Sequence, residues 1–74
     1  MLNKYNSMHQ RHVDLLVEYY NKHQEWSRKP TIGRSVELRN ILSDLRRVQT
    51  EMRDEVMKVR RQLEEQRRIK KETQ

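Results

Sequence analysis

Five arginines recur every seven residues in the second half of the chain: Arg39, Arg46, Arg53, Arg60 and Arg67. A guanidinium is a planar, permanently charged fork of donors, and it fits a phosphate better than an ammonium does. Arg47, Arg61 and Arg68 double three of these positions, and Lys70 and Lys71 follow. Such a row can meet the phosphates of a nucleic acid, each contact adding salt-dependent affinity. It can equally be the solvated rim of a paired helix, neutralised by acids one turn away for a few tenths of a kcal/mol per pair. Acids recur at the same interval, at Glu37, Asp44 and Glu51 and, after Lys58, at Glu65. Both readings stay open at this level.

Other reactive groups are sparse. His9 and His12 are one helical turn apart, but two histidines without a third ligand make a poor zinc site, and no metal is expected. The chain has no cysteine, so disulfides and thiolate metal sites are excluded. Serine, histidine and acids are all present, yet two helices offer no concave place to assemble them. A single glycine cannot form a phosphate-cradling loop. The expectation is a non-enzymatic protein with no cofactor and no small-molecule substrate. Tyr5, Tyr19, Tyr20 and Trp26 could stack on bases. In a chain without Phe they are expected instead to supply the packing of the first helix, with Trp26 over the start of the second near Leu38. His23, three residues before Trp26, is expected to pack beside it.

These residues need helices to position them, and the sequence offers two. The only Pro and the only Gly, Pro30 and Gly33, stand three residues apart and punctuate an otherwise breaker-free chain. Residues 1–28 hold a first amphipathic helix beginning near Asn3, residues 29–34 a turn, and residues 35–74 a long second helix capped by Thr31 or Ser35. In the first helix Tyr5, Met8, Leu15, Leu16, Tyr19 and Trp26 mark one face, with Val13 and Tyr20 beside it and Val17 off it. In the second, Ile41, Leu45 and Val48 recur eleven residues on as Met52, Val56 and Val59, and Leu63 repeats Met52. That period predicts a nearly straight or slightly right-handed seam, past which a seven-residue stripe winds slowly. Leu38 and Leu42 widen the seam where a second helix covers it. The predicted fold is therefore all-α: a helix-turn-helix hairpin with a long second helix, associating in a coiled-coil-like oligomer. The seam of packing and association comprises Leu38, Ile41, Leu42, Leu45, Val48, Met52, Val56, Val59 and Leu63, with Leu16, Tyr19 and Trp26 of the first helix. A second helix this long overhangs from about Lys58, where seven Lys/Arg face three Glu.

Composition sets the same limits. Of the 74 residues 32% are hydrophobic and 38% charged. So little apolar material makes a stripe, and small chains of this kind often need a partner. A homo-oligomer, dimer or higher, is the simplest solution. The net charge of +6 points to an anionic partner. No run approaches the roughly 20 apolar residues of a membrane span, and no signal-peptide pattern opens the chain; an intracellular setting without membrane contact is expected.

The run Ile32-Gly33-Arg34-Ser35, then Leu38-Arg39, Leu42, Leu45-Arg46-Arg47 and Glu51-Met52-Arg53 resembles small histone-H1-like basic helical proteins of bacteria, large phages and algal viruses. The likeness covers about half the chain and is a pattern of paired basic residues along a long helix. It implies association with nucleoid or virion DNA, with Arg39, Arg46, Arg47, Arg53, Arg60, Arg61, Arg67 and Arg68 as the matching basic positions. The expected activity is sequence-independent binding to the DNA phosphate backbone through these arginines, Lys70 and Lys71. The alternative is a coiled-coil assembly or regulatory module with no nucleic-acid ligand.

Overall fold

The punctuation at Pro30 produces a sharp reversal between two helices. A computed structural model of the chain describes residues 2–72, with side chains through residue 68. Helix α1 spans Asn3–Arg28 and α2 spans Ile32–Glu72, packed side by side as an antiparallel hairpin. Lys4 stands beside Glu55, His12 beside Gln49, Lys22 beside Glu37 and Trp26 beside Ser35. The molecule measures 65 × 15 × 15 Å. Its radius of gyration is 18.6 Å, against about 11 Å for a compact chain of this length.

The turn is shorter than the sequence indicates, because Thr31 is the residue that caps α2. Its Oγ1 accepts the backbone N–H of Arg34 at 3.2 Å, satisfying one of the free donors of the first turn. Gly33 and Arg34, expected in the turn, are therefore helical, and Ser35 sits inside the helix with its Oγ donating to the Thr31 carbonyl at 2.7 Å. Arg34 closes the other side of the reversal. Its guanidinium donates to the carbonyls of Glu25 at 3.1 Å and Lys29 at 3.0 Å, and the Glu25 carbonyl also accepts the Lys29 backbone N–H at 3.3 Å. Trp26 completes the joint by donating its indole N–H to Ser35 Oγ at 2.9 Å.

Gly33 has no positive φ, and a Cβ built on it would meet nothing within 4 Å. Its glycine character thus serves no turn, and it only adds entropy to the unfolded chain. Gly33→Ala should stabilise the hairpin by about 0.5–1 kcal/mol, read as a rise of several degrees in the thermal midpoint. A lower midpoint would mean that Gly33 is needed for a conformation other than this helix.

The core is a single seam. Ile41, Leu45 and Val48 are buried, and Leu38, Met52 and Val59 are half-buried on the same line. Across from them Tyr5, Met8, His12, Leu15, Tyr19, Lys22 and Trp26 are half-buried. Both helices therefore bury positions alternately three and four residues apart, a repeat of seven rather than the expected eleven. Seven is the period that keeps one stripe facing a partner helix along its length. The difference shows at Glu55 and Val56. Glu55 occupies the seam at 12% side-chain exposure, with Lys4 Nζ at 3.8 Å, while Val56 is 49% exposed. Leu16, Leu42 and Leu63, also expected in the seam, are exposed beside it.

A carboxylate in the seam is a cost that an apolar residue would not carry, and its one ion-pair partner is largely in solvent. Glu55→Ile should stabilise the hairpin by about 1 kcal/mol, seen as a higher urea midpoint at unchanged slope. A loss of stability would show that the Lys4 pair outweighs the packing.

Candidate nucleic-acid interface

The seven-residue seam fixes where the arginines lie. Because stripe and seam share one period, the five arginines keep a constant angle to the seam instead of winding around it. Arg39, Arg46, Arg53 and Arg60 each follow a seam residue of α2 (Leu38, Leu45, Met52 and Val59), and Arg67 continues their line; all five are exposed. At 1.5 Å per residue they stand about 10 Å apart along one outer edge of the hairpin.

The surroundings of this edge are poor in acid. On its inner side run Ser35, Leu42, Gln49, Val56 and Leu63, and on its outer side Val36, Ser43, Thr50, Met57 and Glu64. Glu64 is the one carboxylate in these rows, and it receives Arg60 Nε at 3.0 Å. Among the described residues Arg39, Arg46, Arg53 and Arg67 have no ion-pair partner within 4.0 Å. The acids Glu37, Asp44, Glu51 and Glu65 lie on the opposite flank of α2, where Glu37 accepts Lys22 at 3.3 Å. Charge is thus sorted around the helix, with arginines on one side and carboxylates on the other.

The remaining basic positions divide between two places. Arg47 and Arg61 lie next to the acidic flank, so the doubled arginines do not form one continuous face with the five. Residues 61–68 are all exposed and extend beyond the end of α1, the overhang that the unequal helix lengths require. Ile69, Lys70 and Lys71 lie outside the residues whose side chains are described.

Among the described residues no three His, Cys, Asp or Glu side chains come together as metal ligands could. His12 instead faces the second helix, with Gln49 Nε2 at 3.1 Å from its Nε2; the amide donates when the ring proton is on Nδ1. His23 packs between Tyr19 and Trp26, with ring centroids 5.9 and 6.3 Å away, so two of these rings are packing groups of the joint. Tyr20 points away from the seam and is 60% exposed. No described helix is long and apolar enough to cross a membrane.

Sequence reasoning missed Lys22, His12, Arg34 and Glu55 as seam positions. Their three-and-four spacing with the apolar residues was the available signal, hidden because each side chain is polar. No family model, no curated protein and no solved structure matches the chain.

Proposed function

We propose that this chain is a non-enzymatic binding protein that holds the phosphate backbone of duplex DNA along its arginine edge, without reading base sequence. The observation that carries this reading is the sorting of charge on α2: four of the five edge arginines have no carboxylate partner among the described residues. A rim that merely solvates a helix is usually interleaved with i,i+4 acids. This one pairs only at Arg60 and Glu64. Unpaired guanidiniums keep their donors free for phosphate oxygens, and phosphate contacts position a protein without specifying sequence. Arg67 carries the same edge onto the overhang, and a DNA-packing role in a nucleoid or virion fits a protein of this kind.

The test is a salt series of binding to a generic duplex fragment. Five engaged arginines predict a slope of log affinity against log salt of about −4.5, with little change between fragments of different sequence. A shallow slope, or no binding at 50 mM salt, would overturn the reading.

A second reading, a protein-assembly module with no nucleic-acid ligand, is favoured by a separate observation. Leu16, Tyr20, Leu42 and Val56 are large apolar side chains left exposed. Under this reading the arginines are a solubilising margin, and the salt series returns no binding.

A further inference from the structure

We propose that a second copy of this chain covers the face formed by Leu16 and Tyr20 of α1 with Leu42 and Val56 of α2, making a four-helix bundle in which each α1 lies on the other copy's α2. This goes beyond the phosphate-binding reading and does not depend on it.

The four side chains share one side of the hairpin. Leu16 follows the seam residue Leu15 as Leu42 follows Ile41 and Val56 follows Glu55, so each is rotated from the seam in the same sense. In antiparallel helices equal rotations bring the two flanks to the same face. Two contacts bear this out: Ser35 and Gln49, which belong to that flank of α2, reach across to Trp26 and His12. The opposite face carries Arg11, Glu18, Glu25, Glu37, Asp44 and Glu51 and is fully polar. Of the two faces flanking the seam, the first therefore holds the exposed apolar side chains, while Val17, Val36 and Met57 lie on the outer backs of the helices.

The exposed area is ample for a dimer interface. The chain exposes 6623 Å², whereas a compact monomer of 9.3 kDa would expose about 5,000 Å². The excess, roughly 1,600 Å² per chain, is about twice the roughly 800 Å² that each partner of a standard stable interface buries. Three buried residues among those described are also a meagre interior for a chain of this length.

Charge selects the arrangement. One edge of the face is the arginine row; the other, on α1, is Asn6, Val13, Tyr20 and Ser27, with no charge. Laying α2 on the second copy's α2 would set two arginine rows side by side. Laying α1 on α2 sets each row over the uncharged edge, where Tyr20 can take a guanidinium on its ring face. A two-fold axis parallel to the helices leaves axial position unchanged. Lys22 is level with Glu37, so Tyr20 comes beside Arg39 of the second copy. The long arginine side chains then reach past the partner's edge into solvent.

The test is sedimentation of the full chain without nucleic acid, beside the double variant Leu16→Glu, Leu42→Glu. The wild type should be a dimer at micromolar concentration. The variant should associate at least about a hundredfold more weakly, with helicity by circular dichroism retained. Dimerisation would replace four buried apolar side chains by carboxylates stripped of water, which Arg39 and Arg46 alongside offset only in part. If the Glu pair also loses helicity, Leu16→Gln with Leu42→Gln repeats the comparison without charge. Because the chain has no cysteine, mixing Tyr20→Cys chains with Arg39→Cys chains should yield a disulfide-linked heterodimer, and neither alone should cross-link. A monomeric wild type, a variant that dimerises as tightly, or self-linking of Arg39→Cys would overturn the proposal.

Discussion

Val48→Asp should abolish the cooperative thermal transition of this protein. Val48 is 1% exposed and lies between the paired helices, with Ile41 and Leu45 the other buried side chains among the described residues. Removing the valine forfeits about 1.5–3 kcal/mol of burial. The aspartate adds several kcal/mol more, because it has no partner there and must lose its water or force the helices apart. Chains of this size seldom hold more than about 3–5 kcal/mol in total, so the sum exceeds what the fold has. The expected result is a broad, non-cooperative melt with residual helicity, since a helix as long as α2 can persist in part without its partner. Trp26 fluorescence should shift to the red as the joint with Ser35 opens. A sharp melt close to that of the wild type would mean that the seam is not what holds the hairpin together.

Much of the fold was legible because its signals are local. The isolated Pro30 announces the reversal, and apolar residues at helical spacing on both sides announce two amphipathic helices. The exact seam was not legible, for a physical reason. The apolar residues of α2 fit an eleven-residue period, but the period that two helices settle on belongs to the pair. With α1 alongside, the line continues through Glu55 and leaves Val56 outside. On α1 the same line takes in His12 and Lys22, which an apolar filter removes. Polar side chains with long stems or a hydrogen-bond partner across the interface fill such positions at modest cost. Gly33 misled in the opposite direction. A glycine near a proline reads as part of a turn, whereas the Thr31 cap had already begun the helix.

The arginine stripe was visible from its spacing alone, but its place relative to α1 was not assignable until the seam was known. An eleven-residue seam would have let the arginine and acid stripes, which share one seven-residue register, wind around it together. A seven-residue seam holds Arg39, Arg46, Arg53, Arg60 and Arg67 on one side and Glu37, Asp44 and Glu51 on the other. With that seam the arginine stripe keeps to one outer edge of the hairpin, and the acids keep to the other flank.

That difference makes a comparison of two triple variants decisive. Arg39→Gln, Arg46→Gln, Arg53→Gln removes three charges from the edge; Arg47→Gln, Lys58→Gln, Arg61→Gln removes three from the acid-lined side. Net charge falls equally in both, so any difference in DNA binding reports position. Counterion release makes each lost phosphate contact worth roughly eightfold in affinity at 0.1 M salt. The edge variant should therefore bind a few hundredfold more weakly, with a salt slope shallower by about 3. The other variant should lose far less, because the carboxylates of Asp44, Glu51 and Asp54 on that side repel a phosphate backbone. All six positions are exposed, and none of the six makes an ion pair within 4.0 Å among the described residues, so both proteins should melt close to the wild type. Equal losses in the two variants would show that total charge alone draws the chain to DNA. The edge would then have no claim to be the contact surface.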